Sequence, residues 1–275
     1  MKLSKYDLLM ASVPFAWGFS YVYIKWALVC CSPVQISFLR FTIAFVLLLL
    51  IFNRKVVPNK AELLFSFFLG LLVLGFSNFY NEGLKTIDAS TAGFLAGSTV
   101  VMVPIINGFL SHKFPEKKVM VCVAVVMIGI VLLSLSSEFT IAIGAAFCLA
   151  GALSYAIHII ITGRAILRCR PLVIGVWQLG FAAIFGAVGV LWEGNFHFEL
   201  NTLGWVAIMG LALFSSAYAY MAQTYAQQHV TPERTGFLYA LEPVFCAILA
   251  FFIFGEVLTL KEIIGAILII VSLLI

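Results

Sequence analysis

Glu242 stands near the middle of an apolar run, in Leu241-Glu242-Pro243-Val244, and is the side chain best placed to do chemistry in hydrocarbon. An ionised carboxylate there costs several kcal/mol unless it is paired, hydrated or protonated. Glu242 is therefore a candidate proton-coupling group. The alternative is a hydrogen-bonded carboxyl that braces the helix where Pro243 removes a backbone bond. Residues three and four apart share a helix face, and this spacing gathers other polar groups into stripes. Thr235, Tyr239, Glu242 and Cys246 form one; Ser216, Tyr220, Gln223 and Gln227 form another, with Tyr218 on a neighbouring face. Gly151, Tyr155, His158 and Thr162 make a third, and Trp17, Ser20, Tyr21 and Ile24 a fourth.

Rings beside amides and a carboxylate suit a small organic solute with polar and flat apolar parts. The candidate substrate-binding residues are Trp17, Ser20, Ser98, Tyr155, His158, Gln178, Tyr218, Gln223, Tyr239 and Glu242. Several have a plainer reading. A lone His158 can bond across helices, and Gln223 and Gln227 approach a membrane interface. Lys25 and Arg40 approach the opposite face and can snorkel, or Arg40 can pair with Glu82. Gly93-x3-Gly97 serves close helix packing, and Trp192 and Trp205 fit an interfacial aromatic belt.

Catalytic machinery is missing from the sequence. There is no glycine-rich phosphate loop with Lys-Ser/Thr and no His-Glu-x-x-His or other zinc-ligand cluster. Asp7 and Asp88 lie at span ends and cannot form an intramembrane aspartyl pair. The six cysteines follow no metal-ligand spacing and read as small packing residues. The expectation is no enzyme, no metal and no cofactor, with any energy drawn from a gradient. The competing classes are an integral-membrane enzyme using His158 and Glu242 as acid and base, and a receptor or scaffold that binds without moving its ligand.

The elements that must position these residues are membrane spans. Of 275 residues, 63% are hydrophobic and 10% charged, whereas a soluble domain runs at about half apolar and a quarter charged. Apolar blocks fall at 7–28, 34–52, 62–82, 90–110, 118–135, 141–163, 171–192, 201–225, 235–254 and 259–275. A crossing helix takes about 20 apolar residues, so ten crossings fill the chain as one membrane domain. Pro33 and Pro171 open spans, because a first-turn residue loses nothing by lacking an N–H. Asn53-Arg54-Lys55 with Pro58, and Lys113 to Lys118 with Pro115, read as polar connections; the last span is expected to reach Ile275, and no cleavable signal peptide is expected.

The net charge of +4 reports orientation rather than nucleic-acid affinity. Lys2, Lys5, Arg54, Lys55, Lys60, Lys113, Lys117, Lys118, Arg164, Arg168, Arg170 and Arg234 fall on one side of a ten-span chain. Lys25, Lys85 and Lys261 fall on the other, which predicts that both termini are cytoplasmic. The chain also repeats itself. Trp17 to Arg40 aligns with Tyr155 to Gln178, placing Pro33 on Pro171, and Gly93-Phe94-Leu95 aligns with Gly236-Phe237-Leu238. Five spans per repeat force the second repeat (139–275) to enter the membrane upside down relative to the first (1–138). Such inverted repeats carry a substrate site near the midplane between them.

These residues resemble the drug/metabolite transporter superfamily, in its ten-helix EamA-like branch. The resemblance runs from Trp17-Gly18-Phe19-Ser20 with Lys25, through Pro33, Arg40, Gly93-Phe94-Leu95-Ala96-Gly97 and Val103-Pro104, to Gly144, Tyr155, His158 and Gln178. It continues through Ala219-Tyr220, Gln223 to Gln227, Leu241-Glu242-Pro243-Val244, Gly255-Glu256 and Gly265. One departure is Ser111-His112-Lys113, where members often carry an arginine-glutamate pair. The resemblance implies a basket-like bundle whose central cavity is lined by spans one, three, four, six, eight and nine. It implies substrates among amino acids, aromatic metabolites, purines and nucleotide-sugar-like solutes, and an exporting direction. The expectation is an all-α polytopic transporter of small organic metabolites in the inner membrane, working by alternating access. Its partners are then a small-molecule substrate and membrane lipid, with no nucleic acid.

Overall fold

The structure is a computed structural model, in which residues 4–112, 117–134, 143–255 and 259–272 are described. The expected connection around Pro115, the junction of the two halves at 138 and 139, Glu256 and the end of the last span at Ile275 lie outside them. The described residues are helical throughout their long segments. The helices are α1 (Lys5–Ala27), α2 (Pro33–Phe52), α3 (Lys60–Gly83), α4 (Ala89–Ala96), α5 (Thr99–Ser111) and α6 (Lys117–Ser134). There follow α7 (Ile143–Ala165), α8 (Pro171–Glu193), α9 (Thr202–Gly210), a π-helical stretch (Leu211–Tyr218) and α10 (Ala219–Ala226). The chain ends with α11 (Pro232–Tyr239), α12 (Glu242–Phe254) and α13 (Leu260–Ser272).

Local chemistry explains the starts. Ser4 with Asp7, Ser32 with Gln35, and Asn59 with Glu62 each form a reciprocal capping box, satisfying N–H groups that the first turn leaves without intrahelical partners. Pro33 and Pro171 are the first residues of α2 and α8, as expected of a residue with no N–H to satisfy.

Among the described residues, seven segments are long and apolar enough to cross a membrane: Pro33–Val56, Lys60–Gly83, Thr91–Ser111, Ile143–Ala165, Pro171–Glu193, Thr202–Ala226 and Pro232–Phe254. The first helix has the length, but its middle carries Trp17, Gly18, Ser20 and Tyr21, all buried inside the bundle. Its low hydropathy follows from facing protein rather than lipid. It packs against α4, α9, α10, α11 and α12, so it runs through the centre of the molecule. Around it, α2 lies on α8, α3 on α7 and α8, and α6 on α13.

Two of the seven segments are broken. Helix α4 stops at Ala96 and α5 resumes at Thr99; α11 stops at Tyr239 and α12 resumes at Glu242. At both breaks the backbone tightens to bonds three residues apart, from Ser98 N to Leu95 O and from Leu241 N to Leu238 O. The two breaks fall at the same place when Gly93-Phe94-Leu95 is laid on Gly236-Phe237-Leu238.

Beside the breaks, the two broken helices cross at close quarters. A β-carbon on Gly93 would lie 2.7 Å from Cys246 Cβ, inside contact distance. The aligned pair, Gly236 and Val103, is also in contact, with the corresponding separation 3.6 Å. Glycine lets the backbones approach where hydrocarbon supplies no hydrophobic drive between helices.

Candidate functional site

A small cavity opens between α1, α2, α3 and the start of α12. Trp17, Ser20, Tyr21 and Ile24 line it from successive turns of α1, and Phe76, Ser77, Tyr80 and Asn81 from α3. The two remaining lining residues are ionisable: Arg40 of α2 and Glu242 of α12. Glu242 is 5% exposed, and its Oε1 accepts a 2.7 Å hydrogen bond from the Tyr21 hydroxyl. The break before α12 puts this carboxylate on the first turn of a half-helix, where the backbone N–H groups and helix dipole favour negative charge.

Arg40 is 4% exposed. Its Nε donates to Ser216 Oγ at 2.9 Å and its Nη2 to the Ser215 carbonyl at 3.4 Å. Both acceptors belong to the π-helical stretch. A π-helix shifts the i→i−4 bonding pattern and frequently marks a functional site. Here the Ser215 carbonyl also accepts from Trp17 Nε1 at 3.0 Å, while Ser215 Oγ donates to the Ala16 carbonyl at 3.1 Å. One irregular segment thus fixes both the indole and the guanidinium. The expected outward snorkelling of Arg40, or its pairing with Glu82, is not what the fold produces. Arg40 turns inward, and Glu82 pairs with Lys85 at 2.8 Å.

Beneath the cavity lies an aromatic layer. Trp17 meets Tyr155 edge-on at 5.0 Å and 83°, and meets Tyr239 at 5.0 Å and 64°. Phe76 packs on Tyr155 at 4.6 Å, and Tyr220 approaches Trp17 at 5.9 Å. Below this layer a chain of hydrogen bonds runs from the Tyr155 hydroxyl to Gln223 Oε1 (2.7 Å), from Gln223 Nε2 to Gln227 Oε1 (3.1 Å), and from Gln227 Nε2 to the Ile159 carbonyl (3.1 Å). His158 Nε2 and Gln178 Oε1 are 2.8 Å apart, both residues being fully buried.

Of the residues expected to bind substrate, Trp17, Ser20 and Glu242 line the cavity. Tyr155, His158, Gln178, Gln223 and Tyr239 form the buried layers behind it. Ser98 sits at the α4–α5 break with its Oγ donating to the Leu95 carbonyl at 2.7 Å. Tyr218 is placed elsewhere: it is 43% exposed and its hydroxyl bonds that of Ser12 at 2.6 Å. The lining residues outside the expected substrate-binding set are Tyr21, Ile24, Arg40, Phe76, Ser77, Tyr80 and Asn81. Tyr21 shares the stripe of Trp17 and Ser20, and Arg40 carried the signal of a charge inside a span.

On the Lys/Arg-rich side, two ion pairs among the described residues tie the first half to the second. Asp7 meets Arg234 at 2.7 Å, and Glu62 meets Arg170 at 2.8 Å. Arg170 also donates to the Val57 carbonyl, and the Glu62 carboxylate raises its hold on its proton above the ordinary arginine value. Asn107 of α5 bonds Glu233 of α11 on the same side. Among the described residues no cluster of three or more His, Cys, Asp or Glu is placed to hold a metal.

Known proteins share this architecture. A solved crystal structure superposes with a TM-score of 0.76, covering 99% of this chain and 96% of its own, at 18% identity; that likeness shows the fold alone. An uncharacterized transporter of Archaeoglobus fulgidus is 26% identical over 98% of this chain and 84% of its own length. The uncharacterized inner membrane transporter YedA of Escherichia coli (strain K12) is 27% identical over 90% of this chain and 82% of its own. These relatives are named as transporters rather than enzymes. The EamA-like transporter family matches twice, over residues 4–135 and 142–275, and the chain belongs to that family of multi-pass membrane transporters.

Proposed function

We propose that this protein is a secondary transporter of small organic metabolites, exporting them across the inner membrane by alternating access. The carrying observation is the pair of helix breaks at aligned positions, α4–α5 and α11–α12, with Glu242 at the second break reaching into the polar cavity. Interrupted helices at corresponding positions of two halves are the best structural pointer to a transporter binding site. In this reading α1, α6 and α13 complete ten crossings with the seven long apolar segments. The halves 1–138 and 139–275 are inverted repeats, and both termini are cytoplasmic. The contacts of Gly93 with Cys246 and of Gly236 with Val103 support it, because a two-fold relation requires such exchanged pairs.

The same geometry supports an outward-facing arrangement. The cavity sits toward the ends of α1 and α3 that carry few lysines and arginines. The aromatic layer, the Tyr155–Gln223–Gln227 chain and the Asp7–Arg234 pair close the opposite side. Rocking one half against the other would exchange these closures. Glu242, held by Tyr21, is the group we assign to proton coupling.

The test compares cells expressing the protein with cells expressing Glu242→Gln at matched levels. A metabolite enriched in the medium only with the unaltered protein names the substrate class and establishes export. Identical media, together with no inward flux into vesicles of purified protein, would overturn the transporter reading.

A further inference from the structure

Six cations crowd two neighbouring connections on the Lys/Arg-rich side: Arg54, Lys55 and Lys60 where α2 passes to α3, and Arg164, Arg168 and Arg170 where α7 passes to α8. All six are exposed. Glu62 is the one carboxylate in residues 53–62 and 164–170, and Arg170 takes it. Arg170 Nη2 also donates to the Val57 carbonyl at 2.6 Å, and Trp177 Nε1 donates to the Val56 carbonyl at 2.7 Å, so the two connections are held together as one basic rim. An apolar furrow runs beneath it. Lys60, Leu64, Phe67 and Phe68 share a face of α3 by their spacing, and the three apolar side chains are exposed. On α8, Trp177, Phe181 and Ile184 follow Arg170 at helical spacing, with Trp177 and Phe181 half-buried and Ile184 exposed. Phe67 meets Phe181 at 5.6 Å and Phe185 at 5.1 Å, which joins the two stripes side by side. Phe67 lies about 10 Å along the helix axis from Lys60, the separation of a headgroup from the upper part of its acyl chains.

We infer that this rim and furrow hold an anionic phospholipid, its phosphate among Arg54, Lys60 and Arg168 and its acyl chains along Phe67, Phe181 and Ile184. The excess of cations fixes the sign of the occupant, because clusters of about four to eight Lys/Arg beside membrane spans attract anionic headgroups. The furrow separates a lipid from a free anion, since a bare phosphate gains nothing from an aromatic surface below it. Cations that only set orientation need no such furrow. The site is apart from the cavity around Glu242. Its α2–α3 connection lies in the first family match and its α7–α8 connection in the second. A lipid seated there therefore bridges the same two halves as the Glu62–Arg170 pair.

The test reconstitutes the full chain in phosphatidylcholine vesicles that carry a brominated lipid, whose acyl bromines quench a neighbouring indole. Brominated phosphatidylglycerol and brominated phosphatidylcholine are compared, and Trp177→Phe identifies the share of quenching that belongs to Trp177. The inference expects that share to favour phosphatidylglycerol by about tenfold. Arg54→Gln with Arg168→Gln should bring the preference close to parity. Lys5→Gln with Lys117→Gln, which removes the same charge from other places on that side, should leave it intact. The comparison of the two lipids on the unaltered chain stands even if the rim variant fails to fold. Equal quenching by the two lipids would overturn the inference, and so would a preference that survives loss of Arg54 and Arg168 or that falls as far in the Lys5 and Lys117 control. A preference untouched by Trp177→Phe would place the lipid elsewhere and overturn it too. Equal quenching together with a rise in melting temperature in inorganic phosphate, absent from the rim variant, would assign the rim to a free anion instead.

Discussion

Trp17 and Tyr155 occupy aligned positions in the two halves of the chain, and their rings meet edge to face at 5.0 Å. In an arrangement with two-fold pseudo-symmetry, only residues near the axis can touch their own counterparts. Under the inverted-repeat reading this contact lies on that axis, directly behind the cavity, where small rotations of one half against the other are felt first. Both residues are further anchored in the second half, Trp17 by the Ser215 carbonyl and Tyr155 by Gln223.

Glu242→Gln keeps the shape of the side chain and its ability to accept from Tyr21, but cannot exchange a proton. Flux driven by an imposed pH gradient in vesicles should fall at least tenfold, with the melting temperature of the purified protein little changed. Equal pH-driven flux in both proteins would remove Glu242 from the coupling step.

His158 and Gln178 share one buried bond across α7 and α8. Hydrogen bonds between membrane helices couple by about 0.6 kcal/mol on average, with a maximum of about 1.7. A double-mutant cycle with His158→Phe and Gln178→Leu, read by reversible unfolding in detergent, should return a coupling in that range. Additive single effects would show that the pair contributes nothing.

Gly93 admits no β-carbon without displacing Cys246. Overpacking a close contact costs about 1–3 kcal/mol, so Gly93→Val should lower thermal stability by that order. The milder Gly93→Ala should fall between it and the unaltered chain. Unchanged melting of both would mean that α4 and α12 can part freely.

Asp7 and Arg234 form a pair that is buried on the carboxylate side and 30% exposed on the guanidinium side. Asp7→Asn and Arg234→Gln should each loosen the closure between α1 and α11, and the exchange Asp7→Arg with Arg234→Asp should restore part of the loss. For a partly exposed pair the coupling is about 1 kcal/mol or less, measured as a shift in melting temperature that high salt diminishes. Failure of the exchange to restore anything would assign the effect to packing.

Topology can be read with a membrane-impermeant thiol reagent in a Cys30→Ser background, the other native cysteines being buried. Lys85→Cys should label on intact cells and Arg54→Cys only after lysis. The reverse pattern would invert the proposed orientation.

What the sequence determined by itself follows from local physics. Block length against bilayer thickness marked the chain as multi-pass, Pro33 and Pro171 marked helix starts, and the spaced repeat aligned Trp17 with Tyr155 and Gly93 with Gly236. The charge of Glu242 inside an apolar run marked it before any fold was known. Tertiary structure decided the facing. In a membrane bundle the lipid-facing and protein-facing sides are both apolar, so periodicity leaves the inward direction open. That is why Tyr218, one residue from the Ser216 stripe's neighbourhood, turned out to the surface while Arg40 turned in. The π-helical stretch from Leu211 to Tyr218 has no composition signal of its own, yet it presents the Ser215 carbonyl to Trp17 and Arg40 together. Pro243 has no N–H for the carbonyl of Tyr239 four residues back, a local signal for the break before α12, whereas only the tertiary structure shows that Gly93 of α4 meets Cys246 of α12 beside it.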